Sequence, residues 1–489
     1  MRFQKAKMTF EHLNYIKNEY IMSNISRFLS RIIRFAIKHE AEQKIRESPC
    51  KMEEVAMPDF IMDASWIDSD DSNELFKNTT ALFTLSVNGK CLTQNINGWT
   101  REVQDSIRIS TYPLAKWLAY NWWRLEDEKL VLNDRRPDYD WRAAHEIGAA
   151  DNGYFWPKVL FASDGEYMNI WADIIPTPLQ SVSYLGKLDA FQSIPLALFQ
   201  REAASLIDAT VEMVRDLDGD LPELWKVVME DMQSLEMSNI RRLEAVLGFN
   251  PEECPEDLLK YVLELQKAVG TESSMEIVPF LRDDKILQEH LLKAKGLHVK
   301  LDIAKDKQEP DSQGTLPWQR GVNAARRLRK LLDLGSAPVE NKQLLDLFGV
   351  ATFGLSDLGD FSEEIPVSVG RSCDEGGWFI VPRTRGWETS QRFELSRLLC
   401  DALVHKPSAH EWLVASDYKT ARQKTQRAFA AEFLCPIEVL DDFLAGDYSE
   451  TKREKAADYF NVSGQAIEYL LLNNGMIEQE YRTFPYSVS

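Results

Sequence analysis

The segment from Arg392 to Asp401 has the length of a metal-binding helix but lacks the residues that bind metal. A helix of a zinc hydrolase needs two His residues four positions apart, so that both imidazoles leave one face, and a Glu beside the first His as general base. Here Arg397 and Asp401 stand four positions apart, and Leu398 follows Arg397. The segment therefore predicts a helix that cannot bind zinc or supply a general base at this spacing.

Two segments resemble the ImmA/IrrE family of metallopeptidase-like regulators. The first has the sequence Arg-Phe-Glu-Leu-Ser at 392–396, and the second has Ala-Phe-Ala-Ala-Glu-Phe-Leu-Cys-Pro at 428–436. The similarity extends over residues 316 to 480, about a third of the chain. It implies a zincin-like α+β domain in that region.

The resemblance also implies which positions once bound zinc. In that family a His-Glu-x-x-His motif continues the first segment, and a second helix supplies a Glu ligand. These positions fall on Arg397, Leu398, Asp401 and Gln423. All three ligands and the base are then missing together, so we expect a degenerate site with no metal, no cofactor and no catalytic residue. His405 matches a further His of the family, but one His does not make a site.

The replacing residues Arg397 and Asp401 have a physical interpretation of their own. Side chains at i and i+4 are neighbours on a helix, so the two can pair. A guanidinium–carboxylate pair could also occupy the volume of a lost ion. We therefore expect a bond between Arg397 and Asp401. The alternative is an ordinary amphipathic helix with one ion pair.

Composition limits the classes of function. The formal net charge of −20 argues against broad binding to nucleic acid or anionic membranes. The six Cys have no paired spacing, which predicts reduced, buried thiols in a cytoplasmic protein. No apolar run approaches the ~20 residues that cross a bilayer. We expect no transmembrane segment.

Changes in composition predict an α+β, multidomain protein. The predicted segments are a basic amphipathic extension (1–57), a Trp-rich mixed α+β domain (58–190), a helical domain (191–304), a polar linker (305–315), the ImmA/IrrE-like pseudo-peptidase domain (316–446) and a helix-turn-helix-like segment (447–489). The basic extension could bind a membrane surface, nucleic acid or an acidic partner. It could equally dock on the acidic body of the protein, or be a translated leader before a start at Met57.

The Trp-rich segment contains signals for individual elements. The run 81–87 predicts a strand, which Asn88 and Gly89 would close as a hairpin turn. The stretch 114–125, after Pro113, predicts one helix, and a strand is expected around 168–171. Residues 191–300 predict an almost wholly helical region.

A polar, aromatic stretch around His145 predicts a second site. Asp140, Arg142, His145 and Glu146 could line a ligand pocket in which the imidazole works beside carboxylates. A hydrogen-bonded histidine at a domain corner explains the same residues.

The C-terminal region has the spacing of a helix-turn-helix, with Ser463 as cap of the second helix. Lys452, Arg453 and Lys455 could contact phosphate, and Gln465 faces outward, but the second helix offers no basic residue to DNA. A structural or protein-binding role is the alternative to DNA binding.

Together these features favour a cytoplasmic, catalytically degenerate ImmA/IrrE-like protein. It would act as a regulator or sensor in bacterial stress response or phage defence, by binding a protein partner or a small-molecule ligand held between the Trp-rich and pseudo-peptidase segments. Two alternatives remain: an active zinc endopeptidase with non-standard ligands, and a DNA-binding regulator that uses the C-terminal helices.

Overall fold

The computed structural model describes eleven stretches of the chain: 59–130, 137–153, 155–174, 182–217, 220–281, 297–300, 315–350, 366–372, 378–383, 386–405 and 411–477. The basic segment 1–57 and the linker, except for its last residue, lie outside these stretches. Residues 58–489 form one compact unit, and the elements below belong to it.

Fourteen strands lie in the described stretches. They are β1 (Phe60–Trp66), β2 (Thr80–Val87), β3 (Lys90–Cys91), β4 (Asn95–Asn97), β5 (Val103–Gln104), β6 (Ile107–Ser110), β7 (Lys158–Ser163), β8 (Tyr167–Asp173), β9 (Val182–Tyr184), β10 (Gln192–Pro195), β11 (Leu297–Val299), β12 (Ser368–Ser372), β13 (Trp378–Val381) and β14 (Leu413–Ala415). They form four small antiparallel sheets, ordered β1-β2-β3 with β6 beside β2, β10-β8-β7, β5-β4-β9 and β11-β13-β12-β14.

Sixteen α-helices lie in the same stretches. They are α1 (Glu74–Asn78), α2 (Tyr112–Tyr120), α3 (Trp122–Asp127), α4 (Tyr139–His145), α5 (Leu196–Val214), α6 (Asp220–Gln233), α7 (Leu235–Val246), α8 (Glu256–Val269), α9 (Thr271–Ile277), α10 (Pro317–Leu331), α11 (Asn341–Leu347), α12 (Glu388–Cys400), α13 (Ala421–Leu434), α14 (Ile437–Leu444), α15 (Glu450–Phe460) and α16 (Gly464–Asn473). A π-helical turn, Asp401–His405, continues α12. The predicted α+β class is confirmed.

The predicted hairpin of the Trp-rich region is confirmed. β2 turns into β3 through Asn88 and Gly89, whose φ angles of 47° and 74° are those of a two-residue hairpin turn. The single helix predicted over 114–125 is wrong, because α2 ends and α3 begins at Asn121. The Asn121 side chain donates to the carbonyl of Trp117 at 2.8 Å, so an amide side chain competes for a carbonyl of the helix.

The region 191–300 is less helical than predicted, because a strand lies near each of its ends. β10 pairs with β8, and β11 pairs with β13. In β10 the side chain of Ile194 is fully buried, and Ser193 donates to Asn169 at 2.8 Å. Short strands of this kind give no helical period to detect, since their pairing partners are distant in sequence.

The helices between these strands contribute to two different hydrophobic cores. α5 and α6 pack on the core that contains the tryptophans of α2 and α3. α8 and α9 instead pack on β12, β13 and β14, through buried residues such as Val262 and Val414. The backbone amide of Trp412 donates to the carbonyl of Val269 at 2.9 Å, which ties the end of α8 to the approach to β14.

The third core joins α10, α12 and α13 to the C-terminal helices. α10 and α13 lie against each other at Gly321. A Cβ atom on Gly321 would collide with the carbonyl oxygen of Thr425 and would lie 2.9 Å from the amide nitrogen of Phe429. Glycine therefore sets the distance between the two helices that carry much of the site described below.

The C-terminal helices have the predicted pairing. Ala456 and Phe460 of α15 are buried against Ile467 of α16 and its neighbours. The side chain of Ser463 accepts from the backbone amide of Ala466 at 3.1 Å, as an N-cap does. The helix pair is therefore part of the third core.

Two further predictions concern the whole chain. In the described stretches, no helix combines the length and apolarity that crossing a membrane requires. Cys91, Cys254, Cys400 and Cys435 are free thiols, whereas the other two cysteines lie outside the described residues. Cys400 and Cys435 are buried, but Cys91 and Cys254 are only partly so, and the prediction of burial is wrong for that pair.

Candidate functional site

The residues at the four replaced positions meet in the interior. Arg397 and Leu398 lie near the end of α12, Asp401 opens the π-helical turn, and Gln423 lies in the first turn of α13. All four are at most 2% exposed. α12 and α13 pack against each other, which brings the side chains of Arg397 and Gln423 within 2.6 Å.

The guanidinium of Arg397 is held by three groups. It donates to Glu394 at 2.8 Å, to the side-chain oxygen of Gln423 at 2.6 Å and to the carbonyl of Ser416. Glu394 in turn accepts from Arg383 at 3.1 Å. The charge of Arg397 is thus compensated inside a network, as a buried charge must be.

The predicted bond between Arg397 and Asp401 is wrong. Asp401 instead accepts from Arg422 in a bidentate arrangement, at 2.8 and 2.6 Å, and from the backbone amide of Val414 at 3.0 Å. Long side chains of a helix point back towards its N-terminus, which directs Arg397 towards Glu394. Arg422 on α13 can offer the parallel donors that a carboxylate prefers.

Leu398 belongs to the hydrophobic core. It is completely buried and packs in the same core as Leu395 and Phe429. The position that the resemblance assigns to the general base therefore contributes apolar packing, and its side chain has no group that could move a proton.

Burial shapes the electrostatics of the neighbouring arginines. Burial, and then the nearby cation of Arg397, lower the pKa of Arg427 to about 9. Burial also acts to lower the pKa of Arg422, but the adjacent carboxylate of Asp401 outweighs it and raises that pKa. Arg422 therefore stays cationic beside Asp401.

Gln423 and Gln426 are the amides of this network. Gln423 accepts from the backbone amide of Ser416 at 3.0 Å and donates to the carbonyl of Val414 at 3.0 Å. Gln426 donates to Asp401 at 2.7 Å and to the same carbonyl at 2.9 Å. The side-chain oxygen of Gln426 has no hydrogen-bond partner among the residues that the structure describes.

A cavity of about 480 Å³ lies beside Asp401. The π-helical turn and the start of α13 form one part of its wall, where Asp401 and Gln426 lie. Other parts come from α9, with Glu276, and from the end of α3, with Glu126 and Asp127. The cavity therefore lies where the segments 58–190, 191–304 and 316–446 meet, and it has the size of a small-molecule site.

His405 also lines this cavity. Burial, and then the cation of Arg422, lower its pKa, so the imidazole favours its neutral form. No three His, Cys, Asp or Glu side chains converge as a metal site among the residues that the structure describes. His410 lies outside those residues.

The second predicted site has a different arrangement. His145 is fully buried and stacks on Trp141, with Nδ1 3.0 Å from the carbonyl oxygen of Phe161 and Nε2 3.1 Å from Glu128. Both ring nitrogens thus have hydrogen-bond partners within the protein.

The other residues of that predicted site form ion pairs. Arg142 pairs with Glu146 at 2.7 Å, and Asp140 with Arg124 at 3.3 Å. The four residues of the predicted site do not line the cavity beside Asp401. The geometry corresponds to the alternative interpretation, a hydrogen-bonded histidine that fixes a corner.

The residues predicted for DNA or partner contact lie on the C-terminal helix pair. Lys455 and Gln465 are exposed, whereas Lys452 and Arg453 are partly buried. The ammonium group of Lys452 lies 5.0 Å from the ring centre of Phe443, a cation–π contact between α15 and α14. The outward face of α16 contains no basic residue.

Sequence reasoning missed the acidic wall of the cavity. Glu126 and Asp127 directly follow the aromatic start of α3, and Glu272 and Glu276 are one helical turn apart on α9. The only local signal was an acidic run after an apolar helix, which usually marks a solvated helix end.

Protein-family models, curated proteins and solved structures were each compared with this chain, and none matches it.

Proposed function

We propose that this chain is a catalytically degenerate ImmA/IrrE-like protein that acts as a regulator or sensor by binding. The observation that carries the proposal is the contact between Arg397 and Gln423, at 2.6 Å. A guanidinium and an amide occupy two of the positions that the resemblance assigns to zinc ligands. The proposal includes the setting that the resemblance implies, a bacterial stress-response or phage-defence system.

Three features of the site support binding over hydrolysis. The side chain of Asp401 is occupied by Arg422, Gln426 and a backbone amide, so binding an ion there would break a bidentate pair. A cation at Arg397 would oppose a zinc ion directly. The cavity beside these residues offers a space for a ligand.

Metal content tests the proposal. Elemental analysis of protein purified without a His tag or added zinc should find below about 0.1 zinc per chain, since the site has lost its ligands. As a control, the protein is mixed with one equivalent of zinc and desalted, and it should again retain none. About one zinc per chain in either sample would overturn the proposal and favour an active zinc endopeptidase with non-standard ligands.

A further inference from the structure

The charges of the cavity beside Asp401 indicate what it binds. We propose that it takes the ammonium or guanidinium group of a linear organic cation, with Glu276, Glu272 and Gln426 as the receiving groups. This inference rests on the proposed binding function and names the ligand class of that same site.

Every Lys or Arg among the described residues that line the cavity already has a carboxylate partner. The described lining contains seven Asp or Glu and four Lys or Arg. The pairs are Lys129 with Asp127 at 4.0 Å, Arg242 with Asp127 at 3.3 Å, Arg320 with Glu166 at 2.6 Å and Arg422 with Asp401 at 2.6 Å. An anionic ligand would have to displace one of these carboxylates.

Three lining carboxyl groups form no ion pair within the described part of the chain, namely Glu126, Glu272 and Glu276. Glu276 is 4% exposed and accepts hydrogen bonds from two hydroxyl groups, Ser416 at 3.0 Å and Thr420 at 2.6 Å. The direct hydrogen bonds of Glu276 among the described residues come from neutral donors, and the cations of Arg422 and Arg427 act on it only from a longer distance, so a ligand cation could form the direct ion pair. Glu272 lies in the exposed first turn of α9.

Gln426 gives independent evidence for a ligand with N–H donors. It is 1% exposed, and its side-chain oxygen has no partner in the described part of the chain. The orientation of the amide is fixed, because its nitrogen donates to two acceptors, Asp401 and the carbonyl of Val414. A buried acceptor without a donor costs free energy, so a donor from a ligand would stabilise it.

Aliphatic side chains give the cavity room for an alkyl chain. Leu196, Met275, Val404 and Ala421 line it together with the charged groups. The volume of about 480 Å³ exceeds the needs of a metal ion and falls in the range of small organic ligands. Two sources share this chemistry: a free di- or polyamine, and the Lys or Arg side chain of a peptide.

Isothermal titration calorimetry on the full chain tests the inference and separates the two sources. The probes are cadaverine, spermidine and the blocked amino acid Nα-acetyl-lysine methylamide. We expect at least one to bind with a Kd below about 1 mM. Pentane-1,5-diol has the same chain as cadaverine without the charge, and glutarate has the opposite charge, so neither should bind. Binding of the amines alone identifies a free amine, and binding of the blocked lysine alone identifies a peptide side chain.

Variants then locate the binding. Glu276→Gln should weaken binding by at least about tenfold, because it removes the buried carboxylate. Glu272→Gln should weaken it by about threefold, since the exposed charge is screened. Glu264→Gln, on an exposed position of α8 away from the cavity, should bind as the unmodified chain does. If Glu276→Gln does not fold, the affinity of the exposed variant Glu272→Gln still shows whether the cavity binds the amine.

The inference is overturned if no amine binds, if the diol binds as tightly as cadaverine, or if both glutamate variants keep full affinity. These results leave the zinc content untouched, so they do not decide the proposed function. One zinc per chain would overturn the proposed function even if amines bind.

Discussion

Arg397 is a full charge inside the protein, at 2% exposure, and three groups compensate it. Two of these groups have few other donors. Without the guanidinium of Arg397, the side-chain oxygen of Gln423 would keep one donor among the described residues, the backbone amide of Ser416. The carboxylate of Glu394 would keep the donors of Arg383 and Ser368. Removal of the guanidinium therefore leaves buried acceptors short of donors, which costs more than the loss of a surface ion pair.

We therefore expect Arg397→Ala to lower the free energy of unfolding by about 3 kcal/mol. Urea denaturation followed by circular dichroism measures this change. The matched control is Arg215→Ala, which removes an exposed arginine that pairs with Glu212, and should cost less than about 0.5 kcal/mol. Equal stability of the two variants would contradict the role assigned to Arg397.

Glu126 is a carboxyl group with an unusual environment. Burial, and then the neighbouring Asp127, raise its pKa from 4.5 to about 8, against the effects of Gln200, Lys129 and Arg242. The folded protein therefore holds a proton on Glu126 at neutral pH, where the unfolded chain does not. The contribution of Glu126 to the free energy of unfolding is fully present below pH 4.5. It is lost as the pH rises towards 8, because the carboxyl group ionises first in the unfolded chain.

Glu126→Gln removes this titration, because the amide is neutral at every pH and has nearly the shape of the protonated carboxyl group. We expect the variant to be more stable than the unmodified chain at pH 8, by about 4 kcal/mol, with the difference vanishing towards pH 4.5. Melting temperatures from pH 4.5 to 8 test it, with Glu264→Gln as the exposed control. A difference that grows as the pH falls would contradict the raised pKa.

At the scale of elements, the contact between α10 and α13 depends on Gly321. A methyl group there would collide with the backbone of α13, so Gly321→Ala must push the two helices apart. We expect a loss of about 2–3 kcal/mol in unfolding free energy, as for other overpacked sites. Gly464→Ala is the control, since a Cβ at Gly464 meets no atom within 4 Å. Equal unfolding midpoints in urea would refute this account.

Elements with local signals could be predicted from the sequence, and elements that depend on distant partners could not. The turn at Asn88 and Gly89 and the cap at Ser463 need only their neighbours in the chain. β10 and β11 become strands because β8 and β13 pair with them. The break at Asn121 arises because a side chain competes with the backbone, which periodicity does not register.

The same distinction applies to the candidate site. That Arg397, Leu398, Asp401 and Gln423 belong to one region could be predicted, because one helical segment and one motif contain them. The partner of Asp401 could not, because Arg422 lies on another helix and reaches Asp401 only through tertiary packing, which leaves Arg397 to pair with Glu394 of its own helix. The acidic wall of the cavity comes from helices more than a hundred residues away in sequence, and only the fold brings it to Asp401.

At the scale of the whole molecule, the cavity lies where the three hydrophobic cores meet. α3 packs in the first core, α9 in the second, and α12 and α13 in the third. A ligand that contacts all three stabilises the folded chain in proportion to its occupancy. The net charge of −20 also attracts cations over long range and repels anions, which suits a cationic ligand.

The contact between Arg397 and Gln423 also changes what the protein needs from its surroundings. A metal site must capture an ion from a pool that other proteins share, and it stays empty when that pool is depleted. A guanidinium and an amide are made with the polypeptide and are in place as soon as it folds. This part of the protein is therefore complete at any zinc concentration, and zinc starvation leaves the contact intact.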